Sequence, residues 1–145
     1  MVKTEMRIAA SAEDVFDVLA DGWSYAGWVV GASHIREVDP GWPAEGTRIH
    51  HSVGPWPLHV QDVTRVLHVV HGRLIDLEAR MWPVGSARVR LTLTPAGPDA
   101  TDVLMEEEVT QGPGRVIPTP VQAMLLKPRN AEALRRLADI AKGRG

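Results

Sequence analysis

The sequence predicts an α+β fold: a curved antiparallel sheet of about seven strands wrapped around a long C-terminal helix, with two short helices after the first strand. Three observations predict it. Residues 119–142 repeat apolar side chains at helical spacing. Residues 33–110 fall into strand-length runs punctuated by Gly and Pro. Between the first alternating run and these strands lies one helical interruption, from Ser11 to Trp28.

Each element follows from its residues. Val2, Thr4, Met6 and Ile8 alternate with Lys3, Glu5 and Arg7, which makes a first strand. Ser11 caps a helix, with Asp14 three residues on as a variant of the capping box. Ala12, Val15, Phe16 and Leu19 form its buried face, and Asp21-Gly22 stops it. Trp23 to Trp28 reads as a second short helix. Six strands follow, at 33–39, 47–53, 58–69, 73–81, 86–94 and 101–110. Their turns contain Pro40-Gly41-Trp42-Pro43, Gly54-Pro55-Trp56-Pro57, His71-Gly72, Trp82-Pro83-Val84-Gly85 and Pro95-Ala96-Gly97-Pro98. Gln111-Gly112-Pro113-Gly114 then leads to the last helix, which Thr119 caps and Pro120 opens. Val121, Met124, Leu125, Pro128, Ala131, Leu134, Leu137, Ala138 and Ala141 are expected to form one apolar stripe along it. Pro128 removes a helical hydrogen bond, which predicts a bend or break near 125–128.

Alternation assigns faces. Ala87, Val89, Leu91 and Leu93 point toward the helix, as do Ile75, Leu77, Ala79 and Met81. Val103, Met105 and Val109 carry Glu107 inward with them. Ile49 and Val53 likewise carry His51 inward. The run 58–69 changes parity, with Val60, Asp62, Thr64 and Val66 on one face and Val63 and Leu67 on the other, so a bulge fits there. In a meander, alternate turns share an end. The turns at 54–57 and 82–85 therefore lie with the 112–120 segment, and Trp56 and Trp82 gather at a mouth beside the start of the helix.

Composition narrows the function. The 145 residues suit one domain over 1–145, and 44% hydrophobic content fills a core. A net charge of −2 and no interleaved basic and aromatic platform argue against nucleic acid. No run approaches the ~18 apolar residues of a membrane span, so membrane insertion is not expected and a cytoplasmic location is the expectation. With no cysteine, thiolate chemistry and cysteine metal sites are excluded. Six histidines are present, but His50 and His51 are adjacent on a strand and face opposite sides, so no metal is expected. Phosphate-binding loops and a serine nucleophile elbow are absent from the sequence, and no cofactor is expected.

The arrangement and several motifs resemble a known group. Gly112-Pro113-Gly114-Arg115 with Pro118, Pro128-Arg129-Asn130 and Leu134-Arg135-Arg136-Leu137 resemble the tail of actinobacterial SRPBCC-superfamily proteins. These are of the START-like, polyketide cyclase/dehydrase and lipid-transport type. Trp23-Ser24-Tyr25-Ala26-Gly27-Trp28-Val29-Val30-Gly31 and Asp39-Pro40-Gly41-Trp42-Pro43 fit the same group. The resemblance covers essentially the whole chain. It implies a helix-grip fold and a cavity between sheet and helix for hydrophobic ligands. No catalytic motif of a characterised member matches residue by residue.

The leading expectation is therefore binding or carriage of a small hydrophobic molecule, lipid- or polyketide-like, in a cavity above ~300 Å³. Its expected walls come from four regions. Trp23 and Trp28 come from the short helices, and Val53, Leu77, Ala79, Val89, Leu91 and Met105 from the sheet. Trp56 and Trp82 come from the mouth, and Val121, Met124 and Leu125 from the helix. Glu107 and His51 supply the polar chemistry. Buried, they titrate in opposite directions and could divide acid and base roles in an aldol cyclisation or dehydration. Alternatively they anchor the polar end of a ligand. A third class is an interaction protein, a homodimer formed through a sheet edge or the mouth tryptophans.

Overall fold

β1 (Val2–Ile8) leads into α1 (Ala12–Ala20), a 3₁₀ turn (Gly22–Ser24) and α2 (Tyr25–Trp28). The strands β2 (Ala32–Val38), β3 (Arg48–Val53), β4 (Val60–Val70), β5 (Leu74–Met81), β6 (Gly85–Pro95) and β7 (Thr101–Gln111) follow, then α3 (Thr119–Arg144). The computed structural model describes residues 2–30, 32–53, 60–81 and 85–144. The strands form one antiparallel sheet in the order β1-β7-β6-β5-β4-β3-β2. The first strand thus closes onto the last, and α3 and α1 cover the inner face.

Local chemistry sets the helix ends. The Ser11 side chain accepts the Asp14 backbone N–H at 3.1 Å, so the expected cap forms. Asp21 accepts the Trp23 backbone N–H and the Ser24 hydroxyl, which starts the next turn where α1 stops. Val15, Phe16, Val18 and Leu19 are the buried face of α1.

The faces follow the alternation. Ile75, Leu77, Val89, Leu91, Leu93, Val103 and Met105 are buried in the core. The β4–β5 register shifts between Val66 and His68, which is the bulge that the parity change in this run requires. Before it Thr64 and Val66 face inward; after it Val69 does. On the outer face Asp76 is buried nonetheless, because Arg88 and Arg90 close over its carboxylate. Burial raises its pKa, but those two guanidinium groups outweigh this and hold it below the usual range.

The sheet's ends obey the meander. Gly85 has φ +126°, and a Cβ there would stand 1.8 Å from the Gln111 carbonyl oxygen, so only glycine fits. Gly85, at the start of β6, therefore lies against the segment leading to α3, at the end of the sheet where the meander expects it. Trp56 and Trp82, the other markers of that mouth, lie outside the described residues, as does the side chain of Val53.

α3 corrects the expected stripe. Leu126, Asn130, Ala133, Leu134, Leu137, Ala138 and Ala141 are buried. Val121, Met124, Leu125 and Pro128 are exposed instead. The cause is geometric. Each three-residue step along 125, 128, 131, 134 and 137 falls about 60° short of a full turn. Four such steps carry the run from one side of the helix to the other, so the two ends cannot share a stripe. The helix also continues unbroken across Pro128, so no break forms at 125–128.

Candidate functional site

The inner face is apolar except for a chain of polar side chains. Period-2 alternation places His51 on β3 beside Ile49, and Glu107 on β7 beyond Val103 and Met105; both are buried. Thr64 arrives from β4, two residues from the Asp62 that pairs in register with His51. Tyr25 enters from α2, whose single turn packs on α3. Arg129 and Asn130 come from the middle of α3.

Two groupings result. In the first, Thr64 Oγ1 lies 2.7 Å from the Tyr25 hydroxyl and 2.9 Å from His51 Nε2. The Tyr25 ring tilts over the His51 ring with centroids 5.4 Å apart, and Trp28 meets Tyr25 edge-on at 5.5 Å. In the second, Arg129 donates from Nη1 to Glu107 Oε2 at 3.4 Å and from Nε to the Val30 carbonyl at 3.2 Å. This guanidinium ties α3 to both the end of α2 and the sheet. Arg129 and Glu107 also act electrostatically on Tyr25, so the two groupings are neighbours.

Electrostatics follow burial. Desolvation pushes the Tyr25 phenol up to about 12, so it stays protonated. Burial raises the Glu107 carboxyl, and Arg129 and then Asn130 offset this only in part. Burial lowers the His51 imidazole; Asp62 opposes the effect, while Arg36 and His50 add to it. The His51 Nδ1 atom is buried with no hydrogen-bond partner among the described residues.

The expected wall residues divide. Leu77, Val89, Leu91, Met105 and Trp28 lie buried on the inner side, and Ala79 is half-buried there. Trp23, Val121, Met124 and Leu125 are 62, 43, 77 and 62% exposed and do not join them. Tyr25, Thr64, Arg129 and Asn130 were missed by sequence reasoning. Asn130 had a signal, as a polar residue four places from Leu126 and from Leu134 on the buried helix face.

Other features stand apart. A hollow of about 450 Å³ lies on the β1–β7 side, lined by Glu5, Met6, Arg7, Thr94, Asp102, Val103 and Leu104. It holds the Arg7–Asp102 ion pair, shares no residue with the polar cluster, and is not the expected space between sheet and helix. His50 pairs with Asp39 and His68 with Glu45, while His71 meets Phe16 edge-on. Among the described residues no three His, Asp or Glu side chains gather as metal ligands. No described helix is long and apolar enough to cross a membrane.

Comparison with solved structures places the whole fold. The Zhui aromatase/cyclase from Streptomyces sp. R1128 superposes with a TM-score of 0.72 at 18% identity, over 99% of this chain and 93% of that one. A START superfamily protein from Mycobacterium smegmatis gives 0.63 at 22% identity, over 99% and 94%. The di-domain ARO/CYC StfQ from the steffimycin biosynthetic pathway gives 0.70 at 17%, over 97% of this chain and 44% of that one. The fold is thus the helix-grip fold of START-like proteins. Comparison with curated proteins finds no match. A family model described as polyketide cyclase / dehydrase and lipid transport matches residues 1–142, and the chain belongs to that family.

Proposed function

We propose that the chain binds a small hydrophobic molecule between the sheet and α3, with the molecule's polar end at the His51–Thr64–Tyr25 group. The observation that carries this is the buried Nδ1 of His51, which has no hydrogen-bond partner among the described residues. A buried polar atom without a partner costs about 1–3 kcal/mol. A ligand that met it would recover part of that cost. The apolar core residues Leu77, Leu91 and Met105 on the same inner face suit the ligand's body, and the membership in a family described by cyclisation and lipid transport supports a hydrophobic occupant. Trp28, packed on Tyr25, is the natural reporter. Titration with aromatic polyketides and fatty acids should change its fluorescence, and Trp28→Phe should abolish the change. Saturable binding with no Trp28 response would place the ligand elsewhere and defeat this reading.

A second reading has its own support. Burial displaces His51 downward and Glu107 upward, the pattern of groups that divide proton transfers. On this reading the bound molecule undergoes an aldol cyclisation or dehydration. Glu107→Gln should then remove turnover while leaving affinity within a few-fold, and His51→Ala should remove turnover with about a tenfold loss of affinity. A parent protein that binds such a substrate and returns it unchanged would exclude it.

A further inference from the structure

The hydroxyl chain from Tyr25 to His51 has a direction, and that direction decides what His51 can do. Thr64 Oγ1 is the only hydrogen-bond partner of the Tyr25 hydroxyl and of His51 Nε2 among the described residues. A threonine hydroxyl has one proton to give. Suppose His51 carried its proton on Nε2 and gave it to Thr64. Thr64 would then either donate to Tyr25, leaving the phenol proton with no acceptor, or accept from Tyr25 as well, leaving its own proton with none; in both cases the Nδ1 lone pair also lacks a donor. Two buried polar functions would stand unmet. Suppose instead that Tyr25 donates to Thr64 and Thr64 donates to Nε2. Only one function, the proton on Nδ1, then stands unmet. Each unmet buried group is costly, so the second arrangement prevails. Tyr25 is fully able to fill its part, since its buried phenol stays protonated.

We infer that Thr64 is a positioning residue that fixes neutral His51 in its Nδ1–H form, making it a buried hydrogen-bond donor for an acceptor oxygen on the ligand, a ketone or carboxylate. This rests on the binding reading above for the ligand, but the tautomer stands on the hydroxyl chain alone. It also changes the role open to His51. With Nε2 held by Thr64, the ring has no free lone pair to take a proton from a ligand. It polarises a carbonyl by donating to it instead.

The experiment has two arms on the full chain. Long-range ¹⁵N NMR at neutral pH reads which imidazole nitrogen carries the proton. The expected result is Nδ1–H for His51, retained in Thr64→Ser and lost in Thr64→Val. An Nε2–H ring in the parent, or a Thr64→Val ring unchanged from it, overturns the inference. The second arm titrates 2-acetylnaphthalene against 2-ethylnaphthalene, which differ by one carbonyl. The ketone should bind about tenfold tighter, the effect of one buried hydrogen bond, and His51→Phe should erase the difference. Equal affinity of the two in the parent overturns the acceptor assignment. If neither probe nor any hydrophobic compound binds, the binding reading fails, while the NMR arm still decides the tautomer.

Discussion

Glu107 is buried on the inner face with the Arg129 guanidinium 3.4 Å from its carboxylate, and that burial raises its pKa. Its place on the inner face was readable from Val103, Met105 and Val109, because a strand's side chains repeat every second residue. Its partner was not readable, because Arg129 lies 22 residues away on a helix whose docking only the tertiary fold sets. The same holds for His51, visible beside Ile49, and for Tyr25 and Thr64, which alternation alone could not bring together. Titration tests the pair. Burial holds Glu107 above its ordinary 4.5, so the folded chain keeps that proton more tightly than the unfolded one. The associated stability is present below 4.5 and is lost as pH rises through the folded value. Glu107→Gln should therefore gain on the parent between pH 4.5 and 8, by roughly 2–5 °C in melting temperature. Arg129→Leu should cost about 2–3 kcal/mol, more at pH 8 than at pH 5, because it leaves a buried carboxylate unpaired. His51 runs the other way. Its lowered pKa gives stability that is present above 6.5 and is lost as pH falls below it. Thermal melts across this range would show both slopes, and a parent curve without either would contradict the burial described for both groups.

At the scale of elements, α3 is where sequence and structure part. Its length and its continuity with the apolar core were legible from the helical repeat. Its facing was not, because Met124 and Leu125 are as apolar as Leu134 and Leu137, and a chain of three-residue steps hides a rotation. Only the packing of α3 on β1, α1 and α2 resolves which side is buried. Leu134→Ala should cost about 3 kcal/mol, since the side chain is fully enclosed. Leu125→Ala should change stability by less than about 0.5 kcal/mol, since it stands in solvent. Pro128 is exposed and sits inside a continuous helix. Pro128→Ala restores a donor toward the Met124 carbonyl and should raise stability by about 1 kcal/mol or more. Urea melts of the three variants measure all of this. Equal losses for Leu125→Ala and Leu134→Ala would contradict the facing described.

For the whole molecule, the order of elements was legible from end to end, since turns at Gly41, Gly72, Gly85 and Gly97 punctuate an antiparallel meander. The closure of β1 onto β7 was not stated by any local pattern; it follows from Val2–Ile8 pairing with Thr101–Glu107 in full register. That closure is what lets seven strands curve around one helix, with the core on the inner face. On the proposed function, a hydrophobic molecule occupies this inner side beside His51. Methyl-resolved NMR during titration with 2-acetylnaphthalene tests it most directly. The account predicts shifts concentrated at Leu77, Val89, Leu91 and Met105, with Met124 and Leu125 unmoved. Shifts confined to Met124 and Leu125, with the inner methyl groups silent, would contradict it.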